Sequence, residues 1–191
     1  MTVYVVLLRG VNVGGHRRVS ATDLRAAAAD VGLRDAATYA TSGNLVATSD
    51  GGSTGADGAA HPSAELSAAL SAALAARVGG DVPLVVVPAA RWADLVAANP
   101  FPAAARDDPG HLQLHLGPEP VDDDGVARLA ATHDGPESLA TARGALYVHY
   151  TAGIGRSRLS SARLDRATAT WTTGRNWRTV LRLLQMTGLT P

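Results

Sequence analysis

Three stretches of the chain combine glycine, asparagine, serine and arginine, the residue types that often surround bound ligands. The first, residues 9–15, reads Arg-Gly-Val-Asn-Val-Gly-Gly and follows an apolar run at residues 3–8. The second is Ser42-Gly43-Asn44, and the third spans residues 172–177. Loops that follow buried strands are where a fold usually exposes its backbone to a ligand. We therefore expect the three stretches to meet and to form one binding site.

The first stretch favours an anion as the ligand. Gly14 and Gly15 can turn successive backbone N–H groups toward a negative charge, as anion-binding nests do. Arg9 and Arg17 would add positive charge, and Asn12 would orient the rest of the ligand. The alternative is a plain strand-to-helix turn in which Asn12 satisfies backbone groups. The glycine spacing fits neither a P-loop nor a dinucleotide fingerprint, so no cofactor is predicted.

The second and third stretches each have a functional and a structural interpretation. Ser42 and Asn44 either contact the ligand or form a hairpin turn. Arg175, at the start of the last predicted helix, would face an anion together with the N-terminus of that helix. In the alternative interpretation, Asn176 only caps this helix and Trp177 packs in the core.

One helix earlier, Ser157 and Arg158 could bind an anion in the same way as Arg175. With them, the candidate site consists of ligand-binding residues and includes no metal ligands. The candidate loops contain no carboxylate and no thiol, so these residues bind and orient a ligand rather than move protons at neutral pH. No catalytic residue is predicted, and the sequence decides neither for nor against an enzyme.

The composition excludes several kinds of chemistry. The chain has no Cys, which excludes disulfides and thiolate catalysis. All 17 basic residues are Arg, so Schiff-base chemistry is excluded. Codon bias and a preference for bidentate anion binding both explain the arginines. His111 and His115 lack an evident third ligand, so no metal site is predicted.

Charge is unevenly distributed, which raises a second function class. Residues 143–182 contain eight Arg and one Asp, whereas residues 107–137 contain eight acidic residues and one Arg. Residues 143–150 partly fit an RNA-binding strand motif, although Ala145 stands where a stacking aromatic is expected. The alternative function is therefore binding of RNA or single-stranded nucleic acid through the basic 143–182 face. A third possibility is a structural or regulatory dimer in which the acidic segment 107–137 of one subunit pairs with the basic segment 143–182 of the other. The sequence does not determine the oligomeric state.

The elements that must position these loops follow a repeated pattern. Residues 1–89 read as β-α-β-β-α-β, the ferredoxin-like plan. Its strands are predicted at residues 3–8, 37–40, 45–48 and 84–87. Ser20 with Asp23 forms a capping box for the first helix, which Gly32 ends, and Ser63 opens the second. Residues 50–62 read as a polar loop.

Residues 90–191 repeat the plan after a short helix at residues 91–98 and a linker to Gly110. The pattern predicts strands at 112–116, 139–141, 146–150 and 167–172, and helices after Asp122, over 157–164 and at the C-terminal end. The fold class is therefore α+β, with two ferredoxin-like, or alpha-beta plait, halves. Each half has a mostly antiparallel sheet with helices on one face, and a C-terminal helix follows.

No apolar run is long enough to cross a membrane. The first covers only six residues before Arg9, which is too short for a signal-peptide core or a membrane span. We therefore expect a cytoplasmic protein that makes no membrane contact.

Five motifs, in order, resemble a bacterial family called domain of unknown function 1697. They are Leu8-Arg9-Gly10-Val11-Asn12-Val13-Gly14-Gly15, Thr41-Ser42-Gly43-Asn44, Asn99-Pro100-Phe101, Gly155-Arg156-Ser157-Arg158-Leu159 and Thr173-Gly174-Arg175-Asn176-Trp177-Arg178-Thr179-Val180. The resemblance implies two alpha-beta plait halves and carries over no catalytic residue, because the family's function is not established. This chain departs from the family where Arg158 replaces a frequent Lys and Arg178 replaces a frequent Asn.

Overall fold

The computed structural model describes residues 1–12, 18–50 and 62–190. These residues form two compact units. The first comprises Met1–Trp92 with Leu183–Thr190, and the second comprises Ala93–Arg182. Gly14, Gly15 and most of the predicted polar loop at 50–62 lie outside the described residues.

The first unit has the predicted β-α-β-β-α-β order. Its elements are β1 (Thr2–Leu8), α1 (Ala21–Asp30), β2 (Arg34–Tyr39), β3 (Asn44–Ser49), α2 (Pro62–Val78) and β4 (Leu84–Pro88), and α3 (Ala89–Ala97) follows. The strands form an antiparallel sheet in the order β2-β3-β1-β4. A central β1 places the loop that follows Leu8 at one end of the sheet.

Alternate side chains of β1 hold this sheet against the two helices. Tyr4, Val6 and Leu8 share a buried cluster with residues of α1 and α2, among them Leu24 and Leu70. Full burial of a leucine side chain contributes roughly 1.5 to 3 kcal/mol, so this cluster fixes both helices on one face of the sheet.

The start of α1 is set by the predicted capping box. The Ser20 hydroxyl oxygen accepts a hydrogen bond from the Asp23 backbone N–H at 3.0 Å. The Asp23 carboxylate in turn accepts from the Ser20 hydroxyl at 2.6 Å and from the Ser20 backbone N–H at 3.4 Å. Gly32, with φ of +80°, follows the end of the helix as predicted. The orientation of α1 at the first loop is therefore encoded locally.

The second unit repeats the plan. After α4 (Pro102–Asp107) it consists of β5 (Leu112–Leu116), α5 (Asp123–Thr132), β6 (Ser138–Ala142), β7 (Ala145–His149), α6 (Ser161–Thr168), β8 (Thr173–Asn176) and the residues of α7 (Trp177–Met186) up to Arg182. Its antiparallel sheet has the order β6-β7-β5-β8, which is the order of the first sheet. Two ferredoxin-like halves are thus confirmed.

Three sequence predictions for this unit were wrong in detail. The linker before Gly110 contains α4, which begins with Pro102, a residue suited to a first helical turn. The helix predicted over residues 157–164 begins later, because the Ser160 side chain, not Ser157, caps α6 by accepting from the Arg163 N–H. The strand predicted at 167–172 is displaced to β8, since α6 continues to Thr168 and ends at Ala169 with φ of +55°.

No helix within the described parts of the chain is both long and apolar enough to span a bilayer.

Candidate functional site

The first and second predicted loops meet within the first unit. The Leu8 backbone N–H donates to the Gly43 carbonyl at 2.8 Å. The Asn12 side-chain amide donates to the Thr41 carbonyl at 2.6 Å. The residues after β1 and the turn between β2 and β3 therefore adjoin, as the sequence predicted for these two stretches.

Asn12 clamps both loops. Its Oδ1 atom accepts from the Val19 backbone N–H at 3.1 Å, and its Nδ2 atom donates to the Val19 carbonyl at 3.0 Å as well as to Thr41. Both amide hydrogens are therefore used by the protein. The backbone of Asn12 has φ of +57°, a region that asparagine tolerates better than most residues. Asn12 thus shapes the site, as in the turn interpretation, rather than offering its amide to a ligand.

We expect Asn12→Ala to lower the free energy of unfolding by about 2 kcal/mol. Three hydrogen bonds are lost, each with a net value of about 1 kcal/mol, and alanine is less tolerant of positive φ. The loss is moderated because Asn12 is exposed. Urea unfolding measures it, and Asn12→Asp should lose at least as much, because its carboxylate has no donor for the Val19 and Thr41 carbonyls. An alanine variant as stable as the unsubstituted protein would contradict this role.

Asn44 fastens the second loop from inside. Its side chain is 1% exposed, and Nδ2 donates to the Tyr39 carbonyl at 2.8 Å and to the Ser42 hydroxyl at 3.0 Å. These bonds close the turn between β2 and β3. The hairpin-turn interpretation therefore describes these contacts of Ser42 and Asn44.

A cavity of about 470 Å³ lies beside the clamp, and we call it the α1 cavity. Val19, Leu24 and Ala40 give it an apolar surface, whereas Thr38 and Thr41 add hydroxyl groups. Ser20 and Ala21, at the start of α1, also line the cavity. The volume suits a small molecule, because ligand pockets commonly enclose 300–1,000 Å³.

The N-terminus of α1 lies at one end of the α1 cavity. Ala21 is the first residue of α1, where the backbone N–H groups have no intrahelical partner and the helix dipole is positive. A second cavity of about 350 Å³ shares Asn12, Val19 and Ser20 with the first and is also lined by the exposed Arg18. The carboxylate of Asp23 offsets part of this charge at the first turn of α1.

Arg9 lies at the end of β1, outside the lining of both cavities as described. Its backbone N–H donates to the Pro83 carbonyl at 2.8 Å, and Arg9 makes a further interaction within the protein. The cavity linings also include Arg18, Thr38 and Thr41, which the sequence did not indicate as site residues. Arg18 carried a usable signal, since it directly precedes the Val19–Ser20 segment that starts α1.

The third predicted stretch belongs to the second unit, where Arg175 lies in β8 opposite Leu114. Its side chain is only 6% exposed, and its Nη1 atom donates to the Thr173 hydroxyl and to the Gly174 carbonyl, both at 2.8 Å. Burial lowers the pKa of Arg175 to about 10, so the guanidinium remains protonated at neutral pH. Arg175 is thus a buried cation of this unit, and the prediction that its stretch joins the first two loops stays a prediction.

The contacts of Asn176 and Trp177 are those of a helix cap and a core residue. The Asn176 Oδ1 atom accepts from the Thr179 backbone N–H at 2.9 Å, which caps the start of α7. Trp177 is 3% exposed, and its ring centroid lies 6.4 Å from that of Tyr147, with a tilt of 50° between the rings. These two residues therefore organise the start of α7 and the core of the second unit.

Ser157 joins a buried pair that the sequence analysis missed. Its hydroxyl accepts from the Leu159 N–H at 3.0 Å and is hydrogen-bonded to Glu137, which also contacts His133 at 2.6 Å. Burial opposes ionisation of Glu137, but its bonds to Ser157 and His133 outweigh burial and hold the pKa of its carboxyl below the usual value. Gly135 leaves room for this pair, because a Cβ atom there would clash with the Glu137 Oε2 atom.

Arg158 is a solvent-exposed residue, in keeping with a surface role. Its guanidinium lies 3.7 Å from the carboxylate of Asp134, and both side chains are more than three-quarters exposed. Exposed pairs of this kind contribute about 0 to 1 kcal/mol, so the pair leaves Arg158 able to reorganise.

The aromatic residue in the middle of the partial RNA-binding motif at residues 143–150 is inaccessible to a base. Tyr147 is fully buried, and its hydroxyl donates to the Leu95 carbonyl at 2.6 Å. A base cannot stack on a ring that is closed off in this way. The described part of the chain also contains no group of three or more His, Asp or Glu side chains that could hold a metal ion. RNA binding stays a prediction that rests on the charge of residues 143–182.

Comparisons with known proteins place this fold in a family. Residues 1–147 match the family described as protein of unknown function (DUF1697). Among proteins of curated function, none shows significant similarity to the chain. A solved structure, that of the conserved bacterial protein SP0830 from Streptococcus pneumoniae, has 21% sequence identity and a TM-score of 0.69 over 99% of each chain.

The similarity to SP0830 concerns the fold and identifies no ligand. The family match covers the motifs at residues 8–15, 41–44 and 99–101 and ends before the two C-terminal motifs, for which the resemblance stays a prediction. Because the match covers more than three-quarters of the sequence, the chain belongs to the DUF1697 family of proteins of unknown function.

Proposed function

We propose that the first unit binds a small anionic ligand, such as a phosphate-bearing metabolite, in the α1 cavity. The observation that carries the proposal is a cavity of about 470 Å³ that opens at the first turn of α1. The adjoining cavity brings Arg18 to the same turn. A helix N-terminus and an arginine side by side favour a negative charge through backbone N–H groups and the guanidinium.

Each part of the lining has a role in this proposal. Arg18 and the first N–H groups of α1 bind the anion, while the Thr38 and Thr41 hydroxyls bond to polar atoms of the ligand. The apolar surface formed by Val19, Leu24 and Ala40 contacts the ligand body, and Asn12 with Asn44 holds the walls in place. Arg9, Gly14 and Gly15 remain further candidates for anion binding on the sequence argument.

Thermal unfolding in the presence of inorganic phosphate, adenosine monophosphate, glucose 6-phosphate and citrate tests the proposal. A probe at one hundred times its Kd should stabilise the protein by roughly 2.7 kcal/mol. Removing the guanidinium in Arg18→Ala should weaken the binding of that probe by about tenfold, which corresponds to about 1.4 kcal/mol for one charge-assisted contact.

Arg25→Ala is the matched control. Arg25 is also exposed, lies farther along α1 and is not among the residues that line the cavities. Its replacement should leave binding unchanged. The proposal is wrong if none of the four probes stabilises the protein, or if the two variants bind a stabilising probe equally well.

A further inference from the structure

Strand β6 forms one edge of the second sheet and lacks the charges and prolines that oppose pairing. In the described residues, β7 is its neighbour on one side and no strand lies on the other. Its sequence, Ser-Leu-Ala-Thr-Ala, contains neither a charge nor a proline, and Ser138 is exposed while the rest of the strand is half-buried. An unprotected edge presents backbone N–H and C=O groups that can pair with another strand.

The corresponding edge of the first sheet is protected. Strand β2 begins with two charged residues, Arg34 and Asp35, and its register with β3 shifts between Arg34 and Ala37. Asp35 also has φ of +51°. Charges and irregular register on an edge strand oppose pairing with a further strand. The contrast shows that edge strand β2 carries features that oppose pairing, whereas the described residues of β6 carry no charge, proline or register shift.

The turn after β6 determines which of its backbone groups point outward. Arg143 and Gly144, with φ of +53° and +69°, form the two-residue turn between Ala142 and Ala145. These φ values fit a type I′ turn, whose flanking residues form a hydrogen-bonded pair. Because such pairs alternate along an antiparallel ladder, Ala140 also bonds to β7, whereas Leu139 and Thr141 direct their N–H and C=O groups to the outer side.

We infer that two copies of this chain associate through β6, in antiparallel register about a twofold axis at Ala140. In this register Leu139 lies opposite Thr141 of the partner subunit, and Thr141 lies opposite Leu139 of the partner subunit. The outward N–H and C=O groups of Leu139 and Thr141 then bond to the C=O and N–H groups of the residues opposite them. Two bonds for each of the two pairs give four backbone hydrogen bonds across the axis. A twofold interface of this kind requires a self-complementary surface, which this edge provides.

Charge complementarity identifies the occupant as a second copy. The segment that ends just before β6, residues 107–137, has eight acidic residues and one Arg, and the segment that starts just after β6, residues 143–182, has eight Arg and one Asp. Asp134, whose exposed side chain makes only a weak 3.7 Å pair with the exposed Arg158, precedes the strand, and the exposed Arg143 follows it. Antiparallel pairing brings the acidic end of each strand to the basic end of the other, so each contact is made twice.

Sedimentation equilibrium from micromolar to millimolar protein concentration tests this inference. We expect a reversible dimer that dissociates as salt is raised, because exposed charges are screened beyond about 10 Å at 0.1 M. Thr141→Pro removes an outward N–H group without removing a bond to β7, and should weaken dimerisation at least tenfold. Thr141→Val keeps that N–H group and the β-branched side chain, so it should dimerise normally.

A second variant keeps the test decisive if the proline variant fails to fold. Ala140→Glu places two like charges opposite each other at the twofold axis, which should also prevent dimerisation, and circular dichroism verifies that each variant is folded. A protein that stays monomeric at millimolar concentration overturns the inference. A dimer that persists in folded Ala140→Glu or Thr141→Pro overturns it as well, since the contact would then lie elsewhere.

Discussion

Replacing Gly43 with alanine is expected to lower the free energy of unfolding by roughly 2 to 5 kcal/mol. Gly43 has φ of +72°, a conformation that costs an L-residue about 1 to 2 kcal/mol. An added Cβ atom would also lie 2.7 Å from the Leu8 Cβ atom and from the Val11 Cγ2 atom. Because overpacking of a core costs a further 1 to 3 kcal/mol, the turn between β2 and β3 must move away from β1.

Gly32→Ala is the matched control for this substitution. Gly32 has φ of +80°, but a Cβ atom there would meet nothing within 4 Å. It should therefore cost only about 1 to 2 kcal/mol, the contribution of the backbone conformation. The difference between the two variants in urea unfolding isolates the close approach of Gly43 to Leu8 and Val11. Equal losses would show that this close approach does not exist.

The same substitution connects the packing of the first unit to its cavity. Gly43 lines the α1 cavity, and its carbonyl accepts the backbone N–H of Leu8. A turn that moves by even a few tenths of an ångström changes the positions of Thr41 and of the Asn12 clamp. Gly43→Ala should therefore lower the affinity of the protein for any probe that stabilises it, whereas Gly32→Ala should leave that affinity unchanged.

Features encoded by neighbouring residues were predicted correctly from the sequence. The Ser20–Asp23 capping box needs only residues three positions apart, and Gly32 ends its helix through its own backbone freedom. Apolar periodicity predicted the central strands and the order of both halves, because one face of each sheet must be buried. The adjacency of the first two loops also followed from this order, since β1 and β3 are neighbours in a ferredoxin-like sheet.

The roles of individual polar side chains were less predictable, because their partners are distant in sequence. Asn12 bonds to Thr41 across 29 positions, so its sequence surroundings could not show that its amide is occupied. Ser157 likewise bonds to Glu137, which lies on the other side of strands β6 and β7 in the sequence, so this contact depends on the folded loops. Glycine, asparagine and serine build tight turns and bind ligands with the same groups, and composition alone does not separate the two uses.

Acidification should lower the free energy of unfolding because of His115, a buried residue of the second unit. Burial, reinforced by the positive charge of Arg175 and opposed by Asp165, lowers the pKa of His115 from its ordinary value of 6.5 to about 4. The Nε2 atom of this histidine also has no hydrogen-bond partner within the described residues. The folded protein therefore keeps His115 neutral at a pH where the unfolded chain protonates it.

The sign of the pH effect follows from this difference. Above pH 6.5 both states are neutral at His115 and the stability is unaffected. As the pH falls from 6.5 toward 4, the unfolded state binds a proton that the folded state does not, so stability is lost. A displacement from 6.5 to about 4 corresponds to roughly 3 kcal/mol, at 1.36 kcal/mol for each pKa unit.

Urea unfolding of the unsubstituted protein and of His115→Gln, at pH 7.5 and pH 4.5, measures this contribution. Glutamine does not titrate, so the variant should lose less stability between the two pH values. Other groups respond to acid as well, because the pKa values of Asp108 and Glu137 are lowered in the folded state, but they are common to both proteins and cancel in the comparison. Equal losses of stability in the two proteins would mean that His115 is protonated in the folded state, and its burial against β8 would then have to be abandoned.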